Sequence, residues 1–177
     1  MRKLKNSELN RISIEEYKKS KKLPFVIVLD NIRSLNNIGS VFRTADSFRI
    51  DKIHLCGISA TPPHREIHKT ALGATDSVNW IYFKKTIDSI KQLKQQGYSI
   101  IAIEQVDKSI SLEEYTPSSS DKLAFVFGNE IKGKSQNILD NIDICVEIPQ
   151  FGTKHSLNVS VSVGIVLWHL YCHGHKY

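Results

Sequence analysis

Short apolar segments alternate along this chain with stretches of helical periodicity, and that alternation limits the folds open to it. The strand-like segments are 23–30, 52–58, 78–83, 99–103, 123–127 and 144–148. The helical stretches are 6–20, 38–45, 63–71, 85–96, 132–141 and 156–172. Strands that alternate with helices in this way predict an α/β fold built on a parallel sheet. The most loop-like interior segment is 107–122, which contains Pro117 and three serines.

The composition is that of one globular domain. The chain has 177 residues, of which 41% are hydrophobic and 24% charged, enough to bury a core. No apolar run is long enough to span a bilayer, and the polar start is unlike a secretory signal. The three cysteines are widely spaced, which predicts neither disulfides nor a zinc site. We therefore expect a cytoplasmic protein without a structural metal.

The positive charge is concentrated at the N-terminus. Residues 1–22 carry eight Lys or Arg and three Glu, a net +5 of the chain's +6. We expect a basic helical arm over 1–22, followed by a single body over 23–177. Such an arm favours a polyanionic partner, although it could also be a solvated leader. The arm residues that are candidate contacts to a nucleic acid are Arg2, Lys3, Lys5, Arg11, Lys18 and Lys19.

Ligands of open α/β sheets bind beyond the carboxyl ends of the strands, so the residues just after each strand are the candidates for a functional site. The first strand is followed by the segment 36–46, in which Asn36 or Asn37 can cap a helix. Arg43 lies between the apolar Phe42 and Ala45, an awkward position for a charge without a partner. The simpler interpretation is a capping asparagine and an arginine that extends to solvent.

The segment 128–135 matches the phosphate-binding pattern G-x-x-x-x-G-K-S between a strand and a helix. Glu130 would place a negative charge inside that phosphate cradle, which argues against a nucleoside triphosphatase. A plain glycine turn is the simpler alternative.

The segment 148–161 leads from the last strand into a very apolar final helix. Ser156 and Asn158 are plausible caps of that helix. Ser160 is polar in an apolar surrounding and needs a hydrogen-bond partner. Gly164 and Trp168 suit close packing against a partner, so we expect the helix to lie at an interface.

Together these three segments resemble the motifs of the SpoU (TrmH-type) branch of the SPOUT RNA methyltransferases. Asn37 and Arg43 match the first motif. Gly128, Asn129, Glu130 and Gly133 match the second. The third motif is matched by Ile148, Pro149 and the run 156–160. The resemblance covers about residues 24–172 and is specific for the family rather than for the substrate.

The resemblance implies a homodimeric α/β fold with a C-terminal trefoil knot and S-adenosylmethionine as cofactor. The knot loops would hold the cofactor through Ile103, Glu104, Gly128, Asn129, Gly133, Ile148 and Leu157. It also implies methyl transfer to a ribose 2′-hydroxyl of RNA. Arg43, Asn37, Glu130, Ser156 and Asn158 would form the catalytic site, with Arg43 either as a base or as a positioning group.

The separate RNA-binding domain of many ribosomal RNA members does not precede the fold in this sequence. We therefore expect tRNA rather than rRNA as the substrate, gripped by its shape and phosphates. His64 and Arg65, together with Arg43, are further candidate RNA contacts. A knotted RNA-binding protein without catalysis and a P-loop triphosphatase remain the alternatives.

Overall fold

The protein is built around one parallel sheet. The computed structural model describes residues 1–118, 121–128 and 136–174. Its strands are β1 (Leu23–Asp30), β2 (Ile50–Cys56), β3 (Asn79–Phe83), β4 (Ser99–Ile103), β5 (Ile110–Ser111), β6 (Leu123–Phe127) and β7 (Ile144–Glu147). They lie in the order β3-β2-β1-β6-β4-β7-β5, and every neighbouring pair is parallel. The predicted parallel α/β fold is confirmed.

Helices cover both faces of this sheet. They are α1 (Ile14–Lys19), α2 (Leu35–Ser47), α3 (Arg65–Ala71), α4 (Ala74–Ser77), α5 (Thr86–Gln95), α6 (Gln136–Leu139) and α7 (Val159–Cys172). A single 3-10 turn, Asn6–Glu8, precedes α1. The trefoil knot stays a prediction, because strand order and pairing do not define how the chain passes through its own loops.

The core follows the alternation of side chains along the central strand β1. Phe25, Ile27 and Leu29 pack in the larger apolar cluster, which also contains residues of α2 and α7. Val26 and Val28 point to the opposite face and pack with residues of α5. Because successive side chains of a strand point to opposite faces, one strand serves both layers. Each such large side chain stabilises the fold by about 1.5–3 kcal/mol.

Four predicted helix starts are wrong, and a capping side chain sets each observed start. One of them is helix α3, predicted from residue 63, which begins at Arg65 because His64 is its cap. The predicted helix 6–20 is divided, since Ser13 and Glu16 form a capping box that begins α1 at Ile14. Helix α2 is capped by Ser34, whose Oγ accepts a hydrogen bond from the backbone N–H of Asn37, rather than by Asn36 or Asn37. Helix α7 begins at Val159 rather than at residue 156, because Asn158, one of the two predicted caps, is its cap.

The remaining differences are small elements. The loop-like segment 107–122 contains the two-residue strand β5, which extends the sheet beside β7. Helix α4 was not predicted, because four residues are too few for a periodic pattern to show.

Helix α1 ties the basic arm to the body. Tyr17 is 3% exposed and belongs to the larger apolar cluster, while Lys18 and Lys19 remain exposed on the same helix. Among the described residues, no helix is long and apolar enough to cross a membrane.

Candidate active site

A cavity of about 260 Å³ lies at the carboxyl ends of β4, β6 and β7. Six of the predicted site residues line it: Ile103, Glu104, Gly128, Ile148, Ser156 and Leu157. The sheet explains why residues so distant in sequence meet. Ile103 ends β4 and is in register with Phe127 of β6 and Val146 of β7, so the segments that follow these strands converge at one edge.

Six further residues line the same cavity and were not predicted: Gln105, Phe127, Gln150, His155, Val159 and Ser162. Most of them lie beside residues that were named. Gln105 and Phe127 stand at strand ends, where the rule for parallel sheets would have found them. Ser162 lies one helical turn after Asn158, so extending the third motif into α7 would have found it.

The walls of the cavity combine apolar and polar side chains and carry little charge. Ile103, Phe127, Ile148 and Leu157 contribute apolar surface, and Glu104 contributes the carboxylate. Among the described residues that line it, there is neither a Lys nor an Arg. A site for a phosphate needs cationic or backbone N–H partners, so this lining suits a neutral or positively charged ligand better.

A hydrogen bond joins the beginnings of α2 and α7 beside the cavity. Asn158 donates through Nδ2 to Oδ1 of Asn37, with a separation of 3.1 Å. Oδ1 of Asn158 accepts from the backbone N–H of Ser160 at 2.9 Å and from its hydroxyl at 2.7 Å. The cap therefore provides the partner that the polar Ser160 requires.

Arg43 lies apart from this cavity within the chain. Its side chain is exposed on α2, in agreement with the simpler interpretation of an arginine that extends to solvent from between core residues. It lines a second groove of about 810 Å³, together with Arg11, Arg49 and Trp168. The structure therefore does not bring Arg43 together with Ser156 in one copy of the chain. None of the salt bridges found between described residues includes Arg43.

The other predicted RNA contacts lie in the arm and at the start of α3. In the arm, Arg2 forms an exposed ion pair of 2.7 Å with Glu8, and Lys3 and Lys5 are exposed beside it. On the body, His64 caps α3 by accepting from the backbone N–H of Glu66 at 3.2 Å, and Arg65 is exposed next to it.

The central part of the second motif falls between the described ranges 121–128 and 136–174. Asn129, Glu130 and Gly133 lie outside the described residues, as do Lys134 and Ser135 of the phosphate-binding pattern. Within the described ranges, no three His, Cys, Asp or Glu side chains form a group that could hold a metal ion.

The most perturbed titratable groups lie away from the cavity, among side chains on the α5 side of the sheet. Burial, and to a smaller extent the charge of Lys52, lowers the pKa of His54 to about 4. Burial raises the pKa of the Cys56 thiol to about 12. Nδ1 of His54 lies 2.7 Å from the hydroxyl of the buried Ser89, which fixes the ring inside the fold.

The family model of the SpoU rRNA Methylase family matches residues 24–168. The chain therefore belongs to this family, as its three motifs indicate.

Two curated relatives and one solved structure extend the comparison. The 23S rRNA (guanosine-2′-O-)-methyltransferase RlmB of Neisseria meningitidis is 34% identical over 149 residues, 81% of this chain and 56% of the relative. The tRNA (guanosine(18)-2′-O)-methyltransferase of Borreliella burgdorferi is 34% identical over 143 residues, 81% of this chain and 64% of that protein. The chain thus spans 56% and 64% of the lengths of these relatives.

The fold also has solved counterparts. An AdoMet-bound rRNA methyltransferase from Sinorhizobium meliloti superposes with a TM-score of 0.79 at 23% identity, covering 89% of this chain and 60% of the other. That likeness confirms the architecture of the sheet and its helices.

Proposed function

We propose that this chain methylates a ribose 2′-hydroxyl of RNA and takes the methyl group from S-adenosylmethionine. The observation that carries the proposal is the cavity at the ends of β4, β6 and β7, which residues of the second and third motifs line. The two curated relatives are named as 2′-O-methyltransferases of 23S rRNA and of tRNA, which supports the same reaction here.

The lining of the cavity fits this cofactor. Ile103, Ile148 and Leu157 offer apolar walls for an adenine ring, as ligand pockets commonly do. Glu104 offers a carboxylate to hydroxyl or cationic groups. Gly128 lines the cavity, and Asn129 and Gly133 complete the proposed cofactor contacts by resemblance. When bound, S-adenosylmethionine supplies an activated methyl group on a positively charged sulfur.

The protein's own task is to orient the attacking oxygen and to help remove its proton. Arginine side chains stay protonated in proteins, so Arg43 is unsuited to accept that proton. We assign Arg43 to holding an RNA phosphate and the 2′-oxygen, as a planar donor of several hydrogen bonds. Asn37 and Asn158 fix the beginnings of α2 and α7, while Ser156 and Glu130 are proposed to position the substrate.

A second copy of the chain is needed to complete the site. Arg43 lines the second groove rather than the cavity of its own chain, so a partner must bring an arginine to each cavity. Helix α7 leaves apolar side chains exposed, with Val161 at 49% and Trp168 at 58%. An exposed apolar face of this kind is typical of a homodimer interface.

The RNA is proposed to be tRNA, with rRNA as the second choice. The arm residues Arg11, Lys18 and Lys19 and the exposed Arg65 offer cations that can neutralise phosphates on a compact folded RNA.

Methyl transfer from labelled S-adenosylmethionine to isolated tRNA or rRNA tests the proposal. We expect label in tRNA, and nuclease digestion should recover it as a 2′-O-methylated nucleoside. Calorimetry separates the alternatives. RNA binding without cofactor binding would favour a protein that only binds RNA. Magnesium-dependent nucleotide binding that is lost in Lys134→Ala would favour a triphosphatase.

A further inference from the structure

The segment 151–155 between β7 and α7 presents an aromatic side chain to solvent. Phe151 is 95% exposed, far more than the other aromatic residues among the exposed hydrophobic side chains of the described chain. Single exposed apolar residues are common on proteins, so exposure alone assigns no role. The position of this residue and the charge of its surroundings carry the argument.

The segment frames the mouth of the cavity. Gln150 on one side and His155 and Ser156 on the other all line the cavity, while the residues between them are exposed. Phe151 is absent from the lining, so it stands outside the space proposed for the cofactor. A nucleotide that approaches the cavity from solvent would pass this segment.

The charge of the segment suits a nucleic acid. Lys154 and His155 are exposed on it, and the sequence contains no Asp or Glu after Glu147. An exposed aromatic ring beside a cationic side chain such as Lys154 is the combination with which proteins bind unpaired nucleotides, because the ring stacks on a base and the cation holds a phosphate.

We propose that residues 151–155 bind the RNA at the nucleotide to be methylated, with Phe151 stacked on an unpaired base and Lys154 at a backbone phosphate. This inference rests on the proposed function, and it adds a positioning residue that the three motifs do not contain. Aromatic stacking tolerates any base, so Phe151 would hold the nucleotide without selecting its sequence.

The alternative partner for the exposed ring of Phe151 is a second copy of the chain. The charge of Lys154 favours RNA, because a dimer interface would bring Lys154 and its symmetry mate together without an acidic partner on the segment. The oligomeric state of the variants distinguishes the two.

Four variants test the proposal: Phe151→Ala, Phe151→Leu, Phe151→Trp and, as a control, Tyr82→Ala. Tyr82 is exposed on β3, at the far edge of the sheet from β7. Stacking requires a ring, so we expect Ala and Leu to lower kcat/KM for tRNA by at least about fivefold, with Trp and the control close to wild type. The affinity for S-adenosylmethionine, measured by calorimetry, should be unchanged in all four.

RNA binding is measured separately from methyl transfer, by tryptophan fluorescence. The fluorescence added by Phe151→Trp, relative to the wild type with its two tryptophans, should be quenched by unfractionated tRNA and not by duplex DNA. Full activity in Phe151→Leu, an unquenched Trp, or a dimer that dissociates in Phe151→Ala would overturn the proposal. Quenching without any methyl transfer by the wild type would leave this inference standing and remove the proposed function.

Discussion

The side-chain amide of Asn158 donates a hydrogen bond of 3.1 Å to the side chain of Asn37, 121 residues earlier in the chain. Asn37 lies in the first turn of α2, and Asn158 caps α7. One bond therefore connects the first and third motifs beside the cavity. It fixes α2, which carries Arg43, relative to α7, which carries the exposed apolar side chains.

Asn158→Ser is expected to separate the two tasks of this side chain. Serine keeps the helix cap but is too short to reach Asn37, so the fold should lose only about 1 kcal/mol in free energy of unfolding. Methyl transfer should fall about 10- to 100-fold, because small displacements of catalytic groups are costly. Urea unfolding and initial rates measure the two effects.

The variants Asn37→Ala and Asn158→Ala are compared with Asn158→Ser in the same two measurements. Asn37→Ala should lower methyl transfer as Asn158→Ser does, because each removes the same bond, and in the double variant methyl transfer should fall by less than the product of the two single effects. Asn158→Ala also removes the cap and should lose about 1 kcal/mol more than Asn158→Ser. Additive losses in the double variant would contradict a shared role.

Arg43→Ala is expected to abolish transfer while the cofactor still binds, because Arg43 lies outside the cavity. Leu157→Arg should instead block the cavity of its own chain. Equal amounts of the two inactive variants, mixed and allowed to exchange, should recover about a quarter of the wild-type activity, because half the dimers then hold one complete site. Continued inactivity of mixtures that demonstrably exchange would show that each site belongs to one chain.

The cavity was predictable where residues follow strands. Ile103 and Ile148 were found because apolar runs mark the strands and parallel strands end at one edge. The position of Arg43 outside the cavity was also predictable from the sequence. Six residues of helix separate it from Asn37, about 9 Å along the axis, so it was bound to lie away from the strand ends.

Other features depend on contacts between distant elements, which periodicity does not reveal. The start of α2 follows from Ser34 rather than from the asparagines that looked equally suitable. The bond between Asn37 and Asn158, and the contact of His54 with Ser89, each join residues from separate elements. A pattern shows which face of an element is buried, but not what lies opposite.

His54 is expected to make stability depend on pH. Its pKa is about 4 in the folded protein, against an ordinary value of 6.5. Between these values the unfolded chain binds more protons, so the free energy of unfolding is highest above pH 6.5 and falls as the pH drops toward 4. The full effect of a shift from 6.5 to about 4 is about 3 kcal/mol. Urea unfolding at a series of pH values measures it.

His54→Gln removes this titrating group and should flatten the dependence of stability on pH between 4 and 6.5. The exposed His173 offers the control, since His173→Gln should keep the wild-type slope. The comparison uses the slope of the free energy of unfolding against pH. A loss of stability in His54→Gln that is the same at every pH therefore does not affect the comparison. An unchanged slope in that variant would assign the acid sensitivity to other groups.

Gly39 allows α2 to approach α3, and Gly39→Ala should separate them. A Cβ at this position would overlap the hydroxyl of Thr70 and the backbone carbonyl of Ile67, whereas glycine leaves the space that the packed helices need. We expect a loss of about 1–3 kcal/mol in free energy of unfolding. Ser47→Ala, an exposed position on the same helix, should leave stability almost unchanged.

The double variant with Gly39→Ala and Thr70→Ala tests the cause of that loss. Removing the Thr70 hydroxyl relieves one of the two overlaps but also removes its bond of 2.9 Å to the carbonyl of Asn36. We therefore expect partial recovery relative to Gly39→Ala, measured by urea unfolding. Methyl transfer should remain low in both, because the displaced helix α2 carries Asn37 and Arg43. Wild-type stability in Gly39→Ala would show that the two helices can move apart without cost.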